Sequence, residues 1–311
     1  MYFLRLCYNK IMVNWKKVIS FLIILINLTG LIFSGLFLYF DRLINVENLP
    51  IFTSALMFTP LTSALITERL FKSPRPIFPL QLKFNRYFLY AFLFPVILSF
   101  IILAVSLLIP ENEFGFNALN LAHRSNPFAS SYQIFQMEMM YQNYPLTIGM
   151  VLFTGLFLGI FPSTFLAYGE ERGWRGFLSK ELAPLGFWKS SLISGFIWGL
   201  WHSPLIYFGY NFPEHNIWGI ILMGVSCSLL SPWMNYLTKK AGHPLAAALF
   251  HGSFNGVIGI SISFMSYNND LVIGPFALVG IIVLIPLNLL LHYVRKEKTV
   301  KLPVATLMVS N

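Results

Sequence analysis

Long apolar segments are the feature of this sequence that most restricts its fold. A transmembrane helix needs about 20 consecutive, mostly apolar residues. Eight segments meet or approach that length, and they are 18–40, 49–67, 87–109, 146–168, 188–208, 216–237, 244–264 and 271–293. Of the 311 residues, 56% are hydrophobic and 11% are charged, whereas soluble domains have about 25% charged residues. We therefore predict an all-α integral membrane protein, a polytopic bundle of about eight transmembrane helices that forms a single domain over residues 1–311.

The basic residues predict the orientation of this bundle. Positive residues concentrate in cytoplasmic loops, and of the 21 Lys and Arg residues only Arg42 and Arg124 fall in loops on the opposite side. We therefore expect both termini in the cytoplasm, with the first apolar segment as a signal anchor because it is too long for a cleaved signal peptide. The net charge of +9 then reflects topology, so we expect a lipid bilayer as partner and no nucleic acid. The expected location is a prokaryotic plasma membrane.

A charged cluster with the sequence YGEERGWRG follows the fourth apolar segment. Glu171 and Arg175 are four residues apart with the acid first, which favours an ion pair within one helix. Arg172 is explained by the rule for cytoplasmic loops. Glu170 has no such partner, because the residue four positions on is Trp174. An ionisable group at the membrane without a partner is costly and typical of a functional site.

Two histidines and an asparagine lie inside apolar segments. His202 is in the fifth segment beside Trp201, with Trp198 four residues earlier, while His251 and Asn255 are in the seventh. Because residues four apart share a helix face, His251 and Asn255 are expected to point the same way. Each group has two interpretations. It is a functional group inside the membrane, or it is structural, with His202 packed among aromatic rings and the other two in hydrogen bonds between helices.

Taken together, Glu170, His202, His251 and Asn255 supply what a hydrolytic site needs. A carboxylate can act as general base on water, and an amide side chain can donate to a developing oxyanion. Glu170, His202 and His251 could also hold a divalent ion such as zinc, with an open position for water. Neither HExxH nor GxSxG occurs, so the zincin and serine-hydrolase patterns are absent.

These motifs resemble those of the CPBP intramembrane protease family, which includes the type 2 CAAX prenyl proteases and the bacterial Abi, or bacteriocin-immunity, proteins. The family's EExxxR, FxxxH and HxxxN motifs correspond to Glu170, Glu171 and Arg175, to Trp198 and His202, and to His251 and Asn255. They lie in order within about residues 165–260. One position departs from the pattern, because Trp198 stands where the family has Phe. We interpret it as a variation in packing.

The resemblance implies a role for each residue. Glu170 and His202 would activate the attacking water, and His251 and Asn255 would stabilise the oxyanion or help to hold a metal. The resemblance also implies that Glu171 and Arg175 brace the first motif. A zinc-type mechanism and a metal-free glutamate mechanism both remain open.

The expected activity is that of an intramembrane endopeptidase, related to CAAX proteases, that acts on a membrane-associated protein or peptide. One alternative is a non-catalytic immunity protein that binds a membrane-active peptide. Another is a transporter with a proton relay, although the sequence lacks the repeated halves of many transporters.

The depth of the motif residues in the membrane sets a condition on residues 169–188. His202 follows Lys189 by 13 residues and His251 follows Lys240 by 11, which places them roughly 20 and 16 Å along their helices. Glu170 would lie at the cytoplasmic end of the fourth helix. We therefore predict that the fourth helix continues past Glu170, or that FLSKELAPLGFW folds back toward the membrane. The expected site is a water-accessible cavity that opens to the cytoplasmic half.

Overall fold

A computed structural model of the chain describes residues 12–41, 44, 48–72, 82–110, 112–115, 131–140, 146, 149–150, 153, 155, 157, 160–266 and 269–300. Every regular element in these ranges is helical, which confirms the all-α fold. The α-helices longer than three residues are α1 Trp15–Tyr39, α2 Leu49–Met57, α3 Thr59–Leu70, α4 Arg86–Ser106, α5 Ser131–Met140, α6 Ile160–Glu171, α7 Phe187–Trp201, α8 Ser203–Tyr207, α9 Asn216–Ala241, α10 Leu245–Val257, α11 Ile260–Ser263 and α12 Leu278–Val300. Between α6 and α7 lie a π-helix, Arg172–Leu178, a short α-helical turn, Ser179–Glu181, and a 3₁₀ turn, Ala183–Leu185.

Five described segments are long and apolar enough to cross a membrane. They are Trp15–Tyr39, Leu49–Leu70, Arg86–Ser106, Asn216–Ala241 and Leu278–Arg295. They correspond to the first, second, third, sixth and eighth predicted spans, so the chain is an integral, multi-pass membrane protein. The fifth and seventh predicted spans are each divided between two helices, and the fourth lies partly outside the described residues. The count of eight, the cytoplasmic termini and the single domain over residues 1–311 stay predictions.

Proline explains two of the interruptions. Pro204 has no N–H group to continue the helical hydrogen bonds, and its ring clashes with the carbonyl group four residues earlier. Accordingly α7 ends at Trp201, and His202 is the hinge residue from which α8 starts. Pro60 has the same relation to the junction of α2 and α3, where Phe58 separates the two helices. The break at His202 places its side chain at a helix end.

Helices α7 and α9 pack closely because α7 carries glycines on the contacting face. A Cβ atom at Gly195 would lie 2.4 Å from the Cys227 carbonyl oxygen, and one at Gly199 would lie 2.5 Å from the Gly224 Cα atom. Small residues that allow backbones to approach are typical of helix pairs in membranes. This pair holds the second motif, which lies on α7, against the long helix α9.

Helix α10, which carries the third motif, packs against both α6 and α4. A Cβ atom at Gly252 would lie 2.3 Å from the Thr164 Oγ1 atom of α6. On the α4 side, the Ser253 hydroxyl donates to the Phe92 carbonyl oxygen at 2.7 Å. These contacts bring the first and third motifs together in the interior of the bundle.

Candidate active site

The first motif continues directly from α6 into the π-helix Arg172–Leu178. Apart from Gly176, all residues of this segment are buried. The prediction that the helix continues past Glu170 is therefore confirmed, and residues 169–188 do not form a simple exposed loop. A π-helix has a wider turn than an α-helix and is frequent at functional sites. The wider turn changes the direction of the side chains that follow Glu171.

Glu171 connects the first motif to the third. Its Oε1 atom accepts a hydrogen bond from Arg175 Nη1 at 3.0 Å and is 2.9 Å from His251 Nδ1. The Arg175 Nη1 atom also lies 2.8 Å from Oε2, which gives the ion pair predicted from the spacing. The Glu171 and Arg175 side chains are 0% and 1% exposed. A buried charge requires such a partner, because an isolated one is strongly destabilising.

Glu170 is held by two indole groups. Its Oε2 atom accepts a hydrogen bond from Trp198 Nε1 at 2.8 Å and a longer one from Trp174 Nε1 at 3.4 Å. The expectation that Glu170 lacks a partner in its own helix is therefore wrong. The residue four positions on is Trp174, and an indole N–H is a hydrogen-bond donor. Glu170 is 2% exposed, so the carboxylate lies inside the bundle.

The two histidines use the same ring nitrogen for their structural contacts. His202 Nδ1 is 3.0 Å from the Trp198 carbonyl oxygen. Because a carbonyl oxygen only accepts, Nδ1 carries the proton in that hydrogen bond, which leaves Nε2 of the neutral ring as an acceptor. His251 Nδ1 faces the Glu171 carboxylate in the same way. In both rings Nε2 remains for a ligand or for a proton.

Trp198 contacts four charged or titratable groups of the site, which are Glu170, Arg175, His202 and His251. Its ring centroid lies 5.8 Å from that of His202 and 5.3 Å from that of His251. The Arg175 guanidinium lies over the indole, 4.5 Å from the ring centroid. With its N–H on Glu170, Trp198 is the point at which the three motifs meet. Trp198 therefore donates a hydrogen bond to Glu170 in addition to the packing role that the sequence analysis gave it.

Asn255 and Tyr210 complete the description of the site. Asn255 is exposed, one helical turn beyond the buried His251, so the structure does not bring it into the buried cluster. The spacing of four residues predicts that His251 and Asn255 share a helix face, but it does not predict which other residues cover that face. Tyr210, in the loop after α8, was not singled out from the sequence. Burial, and then the negative charge of Glu170, raise the pKa of its hydroxyl group, and no sequence pattern marks it.

The residues expected to hold a metal supply the donor types of a zinc site. Glu170, His202 and His251 offer one carboxylate and two imidazole Nε2 atoms, each ring fixed through Nδ1, which is the donor set and supporting pattern of zinc sites. The one group of three described His, Cys, Asp or Glu residues with ligand atoms within 4.8 Å is different. It consists of Glu214, His215 and Asp270. The expected donors therefore fit zinc by type, and they would have to approach one another to hold it.

The Glu214, His215 and Asp270 group is a structural clamp. Asp270 Oδ2 accepts from the backbone N–H groups of Glu214 and His215 at 2.8 and 3.2 Å. Its Oδ1 atom is 2.6 Å from His215 Nδ1. Both carboxylate oxygens are thus engaged in joining the loop before α9 to the loop before α12.

Comparison with known proteins agrees with this geometry. Residues 144–257 match the family model described as type II CAAX prenyl endopeptidase Rce1-like. All three motifs lie inside the matched residues. The chain is also 31% identical over 108 residues to CAAX prenyl protease 2 of Methanococcus maripaludis. Residues 144–257 are therefore similar to the CPBP/CAAX protease family.

The extent of the family match is limited to the middle of the chain. The alignment covers 32% of this chain and 38% of the archaeal relative, so the chain spans less than two thirds of that relative's length. No solved structure matches the chain. The CAAX protease family resemblance therefore rests on the helices that carry Glu170, His202 and His251.

Proposed function

We propose that this CAAX-protease-like protein is an intramembrane endopeptidase that hydrolyses a peptide bond of a membrane-associated protein or peptide. The observation that carries the proposal is the buried Glu170 carboxylate, held by Trp198 in the same cluster as His202 and His251. A carboxylate in a site largely closed to solvent is costly unless it is used or paired. The relative's printed name, CAAX prenyl protease 2, supports a substrate of the C-a-a-X class.

Hydrolysis follows from the groups that remain available at each residue. Glu170 Oε2 is engaged by indole N–H groups, so its other oxygen, Oε1, is the atom that takes a proton from water. His202 Nε2 accepts a hydrogen bond from the same water and orients it. The water oxygen attacks the carbonyl carbon of the scissile bond. The C–N bond then breaks, and the proton on Glu170 passes to the leaving amine.

The negative charge that develops on the oxygen of the scissile carbonyl group needs hydrogen-bond donors on the side opposite the attacking water. His251 Nε2–H is one, and the contact between its Nδ1 atom and the Glu171 carboxylate stabilises the protonated ring that can donate there. Asn255, exposed one turn further along α10, is the second donor in this proposal. A zinc-type ion held by Glu170, His202 and His251 would supply Lewis-acid activation of water.

The proposed location is a prokaryotic plasma membrane, and the test is made there. Membranes of cells that express wild type or Glu170→Gln are compared by labelling of new peptide N-termini and mass spectrometry. We expect at least one cleavage product that is present with wild type and absent with Glu170→Gln. Glu181→Gln is the matched control, because Glu181 is a carboxylate of the same segment that pairs with Lys17.

Two outcomes would contradict the proposal. Identical product profiles for wild type and Glu170→Gln would exclude proteolysis that depends on this carboxylate. If protection against a membrane-active peptide were retained in Glu170→Gln, the protein would act as a non-catalytic immunity protein. A chelator added to the wild-type membranes tests separately whether the activity requires a metal.

A further inference from the structure

Trp198 introduces a hydrogen-bond donor at a position where the family motif has Phe. A phenyl ring can fill the space between the two histidines, but it has no N–H group. In this chain the N–H group is used, because Trp198 Nε1 donates to Glu170 Oε2 at 2.8 Å. The chain therefore contains a contact to the proposed base that the FxxxH pattern does not supply.

The surroundings of Trp198 make this contact specific. The residue is 4% exposed, so bulk water has little access to replace the indole donor. The second donor to the same oxygen, Trp174 Nε1, is at 3.4 Å, so its hydrogen bond is longer and weaker than that of Trp198. Trp198 itself is fixed by the Arg175 guanidinium over its ring. The short hydrogen bond to Glu170 thus comes from a side chain that is itself held in place.

We propose that Trp198 is the positioning residue for Glu170, holding one carboxylate oxygen so that the other faces the attacking water. This inference rests on the proposed function. Because the indole N–H group engages Oε2, the orientation of the carboxylate is fixed, and Oε1 stays directed at the water.

The test replaces the N–H group and leaves the ring. Purified Trp198→Phe is compared with wild type by the rate at which it produces new N-termini from membranes of cells that express Glu170→Gln. A second variant has 3-benzothienylalanine at position 198, which keeps the ring shape and replaces the N–H group with sulfur. We expect the maximal rate to fall about 10-fold or more, as for a lost hydrogen bond to a charged group. The 3-benzothienylalanine variant should lose activity to a similar extent, because it also lacks the N–H group.

The 3-benzothienylalanine variant separates positioning from packing. Its ring has the shape of the indole, so the Arg175 guanidinium keeps its aromatic partner and the two histidines keep their ring contacts. If packing alone mattered, this variant would keep the wild-type rate while Trp198→Phe lost activity.

Trp201→Phe is the matched control. Trp201 Nε1 donates to the hydroxyl groups of Thr29 and Thr59 at 3.0 and 3.2 Å. The substitution removes an indole N–H group near His202 and leaves the hydrogen bond to Glu170 in place, so the rate should stay close to that of wild type. If Trp198→Phe fails to fold, the 3-benzothienylalanine variant provides the test.

The outcomes distinguish this inference from the proposed function. If wild type produces no N-termini that Glu170→Gln lacks, the proposed function is wrong and the inference is wrong with it. If wild type is active, Glu170→Gln is inactive and the folded 3-benzothienylalanine variant keeps the wild-type rate, the inference alone is overturned. A rate about 10-fold lower in that folded variant supports it.

Discussion

The close packing of α7 on α9 leads to a prediction about Gly199. An alanine Cβ atom there would lie 2.5 Å from the Gly224 Cα atom, 2.5 Å from the Met223 carbonyl oxygen and 2.8 Å from the Gly224 nitrogen. Carbon atoms at contact are about 3.5 Å apart, so the two helices must separate by roughly 1 Å. All three contacts are with backbone, so no flexible side chain can move aside. Overpacking of this kind costs about 1–3 kcal/mol.

The displacement also reaches the candidate active site, because Trp198 precedes Gly199 and His202 follows it by three residues. We expect Gly199→Ala to lower the thermal unfolding midpoint in a fixed detergent by about 2–6 °C. The rate of product formation in membranes should fall more steeply than the loss of folded protein explains, because small misplacements of catalytic groups are costly.

The matched control is Gly35→Ala in α1, where an added Cβ atom meets no described atom within 4 Å. Alanine is favoured over glycine inside a helix by about 1 kcal/mol, so this variant should be as stable as wild type or more stable. Equal midpoints for Gly199→Ala and wild type would refute the packing argument. A fall of the same size in Gly35→Ala would also refute it.

Two further predictions concern the buried charges and the start of α10. Glu171→Gln should destabilise the fold by about 3–5 kcal/mol, because it leaves the Arg175 cation buried without its anion, and an unchanged unfolding midpoint in detergent would contradict this. Burial, and then the charge of Arg172, lower the pKa of His243, whose Nδ1 atom accepts from the Leu245 N–H at 3.0 Å. The unfolded state therefore binds the proton more readily, and stability should fall as pH drops below about 6.5. His243→Asn keeps an acceptor and should show a smaller fall in unfolding midpoint between pH 7 and pH 5, whereas equal slopes would contradict the assignment.

The features that the sequence predicted best are those that the membrane imposes on many residues at once. Long apolar segments predicted the helices at 18–40 and 216–237, because a backbone in lipid must satisfy its own hydrogen bonds. The ion pair of Glu171 and Arg175 was also predictable, because it depends only on local helical spacing. The depth of His202 led to the correct expectation that residues 169–188 are not a simple exposed loop, since the helix continues past Glu170.

The details of the site depend on contacts between distant residues, and these could not be derived from spacing. The π-helix Arg172–Leu178 has no sequence signature, because its register is decided by what the side chains meet. The same is true of Trp198, whose aromatic ring suggested packing while its N–H group reaches Glu170, 28 residues away. Helical spacing placed Asn255 on the face of His251 but gave no account of its exposure.

The most direct test of the account is the activity of Glu170→Gln in a purified system. A synthetic peptide that spans the bond cut in wild-type membranes is added to protein in lipid nanodiscs. Wild type should cleave it, and Glu170→Gln should be slower by about 100-fold or more, because it lacks a group that can take the proton from water. Glu181→Gln should match wild type. Cleavage by Glu170→Gln at the wild-type rate would contradict the claim that this buried carboxylate is the catalytic base.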